Sequence, residues 1–171
     1  MNRVQSMVFV DDGSTDGSFD LLAELLASAT WAKLIQLRRN YGQTAAFSVG
    51  FAHARGAIIV TMDADLQDDP KEIPRFLETL DQGFDLVSGW KENRKDPISK
   101  TIPSKLFNYV TSRSSGLHLR DFNCGFKCYR RETIEGLDVY GELHRYIPVV
   151  VHAKGFRVHH HRNIAIQLAV D

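Results

Sequence analysis

The sequence contains few of the features that mark several large protein classes. Only two of its 171 residues are cysteines, Cys124 and Cys128. They lack the second pair of ligands that a structural zinc site needs. We therefore expect reduced thiols, in the core or on the surface, which is typical of a cytosolic compartment.

An excess of charge of one sign and long hydrophobic runs are also missing. The 21 basic residues balance 21 acidic ones, so the overall charge does not favour a nucleic-acid-binding protein. No signal peptide is recognisable, and no stretch approaches the roughly 18 apolar residues of a membrane span. We expect one domain over residues 1–171, with peripheral membrane contact at most.

The most informative stretch is AIIVTMDADLQDDP, residues 57–70. Its apolar run predicts a buried parallel strand, with Asp63 and Asp65 at the carboxyl end, where open α/β sheets bind ligands. Gln67 adds an amide oxygen, and oxygen donors of this kind suit Mg²⁺ or Mn²⁺. The pattern predicts a cation site at these three residues. The alternative is an acidic turn before the helix that Pro70 begins.

A second acidic motif, DDGSTDGS, follows an apolar strand predicted over residues 8–10. Asp11 and Asp12 lie at the end of that strand, and Ser14 or Thr15 is expected to cap the following helix. Carboxylates in this position can accept hydrogen bonds from the base or ribose of a nucleoside. The alternative is a plain capping turn.

Strands and helices alternate along the first half of the chain. Further strands are predicted over residues 33–37, 58–62 and 85–90, and helices over residues 44–54 and 71–80. This order is typical of a parallel, doubly wound α/β sheet.

The chain then becomes basic and irregular over residues 90–105, which include Pro97 and Pro103. The basic residues of this segment are Lys91, Arg94, Lys95, Lys100 and Lys105. Such side chains, with the hydroxyl of Ser104, can bind a phosphate through charge-assisted hydrogen bonds. The alternative is a solvated surface.

Five motifs in order resemble family 2 glycosyltransferases: VFVDDGSTDGS, TMDADLQDDP, GWKENRKD with a following SK, DFNCGFKCYRRE, and ELHRYIPV. Within that family they resemble the polyprenyl-phosphate subgroup, over residues 4–162. The resemblance implies a GT-A-like, mostly parallel sheet with helices on both faces. We expect the family's first strand, with its Pro-x-Tyr-Asn-Glu-like loop, and the membrane-binding segments that follow the catalytic domain to be missing, so that the chain is truncated at both ends.

The resemblance also implies roles for individual residues on the donor side of the site. Asp11 and Asp12 would bind the nucleoside. Asp63, Asp65 and Gln67 would bind the cation that bridges the diphosphate.

Further roles concern the acceptor and the reacting centre. Arg94 and Ser104, with Lys100 as a further candidate, match positions that hold the lipid phosphate, and Asp121 matches a carboxylate beside the reacting centre. Arg130 or Arg131 would lie near it. His144 and Arg145 belong to a motif that closes over the donor.

The implied reaction transfers a hexose from a UDP-sugar or GDP-mannose to a polyprenyl phosphate at the cytoplasmic membrane face, with inversion and with Mg²⁺ or Mn²⁺. The alternatives are a pseudoenzyme or fragment that only binds metal and nucleotide, and a nucleotidyltransferase, although DDGSTDGS lacks the lysine of a phosphate loop. A homo-oligomer is compatible with the sequence. Residues 159–161 are consecutive histidines whose side chains alternate between strand faces, so we do not expect them to share an ion.

Overall fold

The computed structural model describes residues 5–91, 110–117, 119, 121–137 and 139–163 of the protein. Strands and helices alternate within these ranges, which confirms the α/β class. The chain divides into two compact units. Unit 1 is formed by Met1–Ile59 and Gly136–His144, and unit 2 by Val60–Glu135 and Arg145–Asp171.

Unit 1 contains a two-stranded parallel sheet and two helices. The elements are β1 (Met7–Asp11), α1 (Ser18–Leu26), β2 (Ala32–Gln36) and α2 (Gln43–His53). β1 pairs with β2 from Met7 opposite Ala32 to Asp11 opposite Gln36. Because the two strands are parallel, their carboxyl ends lie side by side, and the polar loops after them start at the same edge.

Helix α1 begins later than expected, so the prediction of a cap at Ser14 or Thr15 is wrong. The residue before the helix is Gly17, in the left-handed conformation with φ of 86°. The amide of Ser14 instead donates to the Asp11 carboxylate, and Asp16 Oδ1 accepts from the amide and hydroxyl of Ser18 at 3.0 and 2.6 Å. Both bonds lower the pKa of Asp16, and the bond from the hydroxyl has the larger effect. They keep the chain in a turn up to residue 18, where the helix begins.

The second sheet has four strands in the order β3-β5-β4-β6. The strands are β3 (Ile58–Thr61), β4 (Leu86–Lys91), β5 (Lys127–Arg130) and β6 (Val158–Asn163). β4 pairs with β6 in parallel and with β5 in antiparallel fashion. In the described ranges the strands thus form two sheets, and the antiparallel pair of β4 and β5 makes the arrangement mostly rather than wholly parallel. Pairing between strands that lie far apart in the sequence cannot be predicted from the local pattern of residues.

Helical segments connect these strands. They are a 3₁₀ turn (Pro70–Glu72), α3 (Ile73–Asp81), helical residues 110–115, α4 (Arg131–Ile134), a second 3₁₀ turn (Leu143–Tyr146) and α5 (Ile147–Ala153). No helix among the described residues is long and apolar enough to cross a membrane.

Burial is concentrated in unit 2. Phe76 and Leu80 of α3 are fully buried, as is Phe126, and the rings of Phe76 and Phe126 stack with centroids 4.5 Å apart. Each such side chain contributes about 1.5–3 kcal/mol through burial. In unit 1, by contrast, Leu21 and Leu25 of α1 are 59% and 68% exposed.

Both cysteines are buried and free, so of the two expected locations, core or surface, they occupy the core. Burial raises the pKa of Cys124 to about 11 and that of Cys128 to about 12. β5 begins at Lys127, so Cys124 precedes the strand.

Candidate active site

The carboxylate of Asp63 lies directly against Gly125. A Cβ atom placed on Gly125 would stand 2.5 Å from Oδ1 of Asp63 and 2.6 Å from its Cγ. Such separations are far inside van der Waals contact. Glycine at position 125 therefore leaves the space that the carboxylate after β3 occupies.

The turn after Asp63 brings Asp65 and Gln67 to the surface. Oδ1 of Asp65 accepts a hydrogen bond from the backbone amide of Gln67 at 3.0 Å, and both residues are exposed. Leu66 between them has φ of +62°, a left-handed conformation that is costly for a side chain of this size. Backbone strain of this kind is often found at ligand-binding turns.

The chemistry of these side chains fits a hard cation only in part. Asp63, Asp65 and Gln67 offer two carboxylates and one amide oxygen, which suit Mg²⁺ or Mn²⁺. Across the described ranges, no three His, Cys, Asp or Glu side chains are grouped to hold a metal ion. A cation at this turn would therefore complete its coordination with oxygens from water or from a ligand.

A second loop, residues 121–125, approaches the end of β3. Asp121 is 6% exposed, and its Oδ1 accepts the amide proton of Asn123 at 2.9 Å. The hydroxyl of Thr61 in β3 donates to the carbonyl oxygen of Gly125 at 2.7 Å. This bond attaches the loop to the strand that leads to Asp63.

Lys127, at the start of β5, is buried beside this loop. It is 3% exposed, and its Nζ donates to the carbonyl oxygen of Cys124. Burial lowers its pKa, while Cys124 and the carboxylates of Asp121, Asp63 and Asp68 oppose that shift. Two predicted site residues, Asp63 and Asp121, thus both act electrostatically on one buried lysine.

Sequence reasoning missed both Gly125 and Lys127, although they belong to the DFNCGFK motif. A lysine between Phe126 and Cys128, on a strand with an apolar flank, was a signal of a buried and paired charge. No comparable signal marked Gly125, since its role depends on Asp63, 62 positions earlier.

In unit 1, the two aspartates at the end of β1 accept hydrogen bonds from backbone amides. Asp11 is buried and accepts from Ser14. The two carboxylate oxygens of Asp12 accept from the amides of Tyr41 and Gly42, each at 2.8 Å. Asp12 therefore fixes the loop after β2, and its proposed contact with a nucleoside would use its remaining lone pairs.

His144 is buried in unit 1. Its Nδ1 lies 2.6 Å from the hydroxyl of Thr44 at the start of α2, and its ring stacks on Phe47 with centroids 6.1 Å apart. These contacts orient the imidazole on the first turns of α2. Arg145, which follows it, is exposed and belongs to unit 2.

Of the two arginines in YRRE, Arg130 is held by the fold. Its guanidinium donates to the carbonyl oxygens of Phe84 at 3.2 Å and Leu80 at 2.9 Å. Arg131 begins α4 and is partly exposed. Three further predicted residues, Arg94, Lys100 and Ser104, lie outside the described residues.

The three consecutive histidines of β6 have separate aromatic partners. His159 packs against Phe84 and His160 against Trp90, with ring centroids 4.6 and 5.9 Å apart. His161 lies 4.9 Å from the ring of Phe76 and 3.9 Å from a carboxylate oxygen of Glu72. Burial lowers the pKa of both His159 and His161.

Comparison with known proteins gives two kinds of match in sequence. The family model for glycosyl transferase family 2 matches residues 4–137. A dodecaprenyl-phosphate galacturonate synthase from Rhizobium johnstonii is 42% identical over 148 residues, covering 85% of this chain and 44% of that protein. An undecaprenyl-phosphate 4-deoxy-4-formamido-L-arabinose transferase from Pseudomonas paraeruginosa is 41% identical over 162 residues, covering 93% and 47%. The chain spans just under half the length of these relatives.

Solved structures match the fold at low identity. Glucosyl-3-phosphoglycerate synthase from Mycobacterium tuberculosis, in complex with phosphoglyceric acid, has a TM-score of 0.72 at 16% identity and covers 97% of this chain and 62% of that chain. A mannosyltransferase from Pyrobaculum calidifontis, in complex with GDP-Man and Mn²⁺, has a TM-score of 0.66 at 19% identity, with coverage of 97% and 48%. The expected GT-A-like fold is thereby confirmed.

Proposed function

Because the chain belongs to glycosyltransferase family 2, we propose that it transfers a sugar, most simply a hexose, from a nucleotide-diphosphate sugar to a polyprenyl phosphate. The curated relatives are named for polyprenyl-phosphate acceptors, which supports the acceptor. The observation that carries the proposal is that the Asp63 carboxylate is seated on Gly125, in the loop that begins at Asp121 and is hydrogen-bonded to Thr61 of β3. A polyprenyl-phosphate acceptor would lie in a membrane, so we propose that the reaction takes place at the cytoplasmic membrane face.

The donor would be bound by residues of the acidic motifs. We propose that Asp11 and Asp12 hold the nucleoside, and that Asp63, Asp65 and Gln67 hold Mg²⁺ or Mn²⁺. A cation there would neutralise the diphosphate as it departs. We assign Arg131, His144 and Arg145 to the donor side as well.

The transfer itself needs little proton chemistry. An oxygen of the acceptor phosphate attacks the anomeric carbon, the bond to the nucleotide's β-phosphate oxygen breaks, and the configuration inverts. Because the attacking phosphate is already anionic at neutral pH, no strong general base is required. Asp121 would orient the reacting groups, since its Oδ1 is itself held by the amide of Asn123. Arg94 and Ser104 remain proposals for the phosphate of the lipid.

The test is calorimetric titration of the chain with UDP, UDP-sugars, GDP and GDP-mannose, with and without Mn²⁺. Cation-dependent binding of one nucleotide, followed by transfer of a labelled sugar to undecaprenyl phosphate, would support the proposal. Asp65→Asn should abolish the cation dependence, and Asp81→Asn, an exposed residue at the end of α3, should leave it unchanged. Binding without transfer would favour the pseudoenzyme. No binding by the folded chain would contradict the proposal.

A further inference from the structure

Lys127 is an unusual residue in the middle of the candidate site. It is 3% exposed, whereas lysine is almost never fully buried unless it is paired. Its Nζ reaches back to the carbonyl oxygen of Cys124, three residues earlier. One hydrogen bond to a neutral carbonyl does not offset the cost of removing an ammonium group from water.

The compensation comes from three carboxylates. Asp63, Asp68 and Asp121 each interact electrostatically with Lys127, and Asp68 and Asp121 are themselves 3% and 6% exposed. Three negative charges around a site of low dielectric constant repel one another strongly. Burial lowers the pKa of Lys127 and the three carboxylates oppose that shift, so the protonated lysine offsets part of their mutual repulsion.

Lys127 also acts on the backbone that carries these groups. The bond from its Nζ holds the carbonyl of Cys124, and the hydroxyl of Thr61 holds the next carbonyl along the chain, that of Gly125. The loop is therefore attached to β5 on one side and to β3 on the other. Gly125 is the residue on which the carboxylate of Asp63 rests, so the position of the loop decides where Asp63 stands.

We propose that Lys127 is a positioning residue, whose buried ammonium group holds Asp63 and Asp121 in the arrangement that binds the donor. It acts through these carboxylates and through the loop at Cys124, without touching the substrate. Its effect on donor binding rests on the proposed function. Its effect on the carboxylates does not, and the two can be measured separately.

The first measurement is a double-mutant cycle on the stability of the ligand-free chain. Lys127→Met removes the charge and keeps the length of the side chain, so it should destabilise the fold by leaving carboxylates unbalanced. Asp121→Asn or Asp63→Asn should then restore part of the midpoint of urea unfolding in the Lys127→Met background, and should not raise it in the wild type. Purely additive effects would overturn the proposal.

The second measurement is the dissociation constant for the donor nucleotide in the presence of Mn²⁺. We expect Lys127→Met to raise it at least tenfold and Lys127→Arg to recover part of the loss. Val151→Ala, in the buried face of α5, is the matched control: it should lower the unfolding midpoint and leave the dissociation constant within twofold of wild type. A folded Lys127→Met chain with wild-type affinity would overturn the proposal.

The two measurements also separate the two hypotheses. If the wild type binds no nucleotide, the proposed function fails, and the mutant cycle still decides the role of Lys127. If Lys127→Met does not fold, the double variants with Asp63→Asn and Asp121→Asn decide it instead. Recovery of folding in either double variant supports charge compensation, and failure of both contradicts it.

Discussion

Gly125 shows how the absence of a side chain makes room for a neighbouring carboxylate. Replacement by alanine would place Cβ 2.5–2.6 Å from atoms of the Asp63 carboxylate. Because the atoms in the way belong to a short, mobile side chain, we expect Gly125→Ala to fold and to displace Asp63. The dissociation constant for the donor nucleotide with Mn²⁺ should rise about tenfold or more, equivalent to about 1.4 kcal/mol.

The control for this variant is Gly50→Ala in α2. A Cβ at position 50 would meet only a methyl group of Val10 at 3.8 Å, an ordinary contact. The substitution should therefore stabilise the helix by about 0.5–1 kcal/mol and leave donor affinity unchanged. If Gly125→Ala binds the donor as the wild type does, the seating of Asp63 on Gly125 has no part in binding.

Leu66 stores strain in the turn between Asp65 and Gln67. It has φ of +62° and is 65% exposed, so little burial is lost on substitution. Asparagine tolerates this conformation better, and we expect Leu66→Asn to raise the free energy of unfolding by about 1 kcal/mol. Leu21→Asn, at an exposed leucine in the right-handed helix α1, should lower it by about 0.5 kcal/mol. Urea unfolding of both variants checks the contrast.

At the scale of elements, Asp12 links the end of β1 to the loop before α2. Its two oxygens accept the amides of Tyr41 and Gly42. In Asp12→Asn one of these oxygens becomes an NH₂ group that faces an N–H donor. We expect a loss of about 1–2 kcal/mol in the free energy of unfolding without ligand.

Asp20→Asn serves as the comparison, because Asp20 is an exposed residue in the first turn of α1. It should lose no more than about 0.5 kcal/mol through the helix dipole. Equal losses in the two variants would mean that the two bonds of Asp12 add nothing to the stability of the loop.

The elements differ in how far the sequence predicted them. The periodicity of apolar residues predicted the ends of β1 to β4, α2 and α3 to within one or two residues, because each of these elements depends on a local pattern. The predicted start of α1 was wrong, because Asp16 accepts the amide of Ser18 and the left-handed Gly17 delays the first helical residue to Ser18. The antiparallel β5 and the role of Lys127 depend on contacts between distant residues, which no local pattern reveals. Asp63 and Asp121 were predicted from motifs, and their shared lysine was not.

At the scale of the whole molecule, stability should depend on pH through β6. Burial lowers the pKa of His159 and His161, and for His161 Glu72 opposes that shift while His159 and Arg75 add to it. A histidine whose pKa is lower in the folded chain binds protons better when unfolded. Through these histidines, stability should not change with pH above their ordinary pKa of about 6.5. It should decrease as the pH falls from there through the lower pKa values that the two histidines have in the folded chain.

Thermal unfolding between about pH 7.5 and 5.5 measures this dependence. The midpoint of the wild type should decrease over that range, and a variant with His159→Gln and His161→Gln should show a flatter profile. A double variant with an unchanged slope would show that the acid sensitivity arises elsewhere.

The division of the chain into two interleaved units has a consequence for biosynthesis. Unit 1 combines the first 59 residues with residues 136–144, and His144 supplies the hydrogen bond to Thr44. On the ribosome, its early part must wait while residues 60–135 are translated, on the order of ten seconds at typical bacterial or eukaryotic rates. Unit 1 should therefore gain the contact between Thr44 and His144 only after residues 60–144 have been synthesised, so its folding is expected to end later than the order of its first 59 residues suggests.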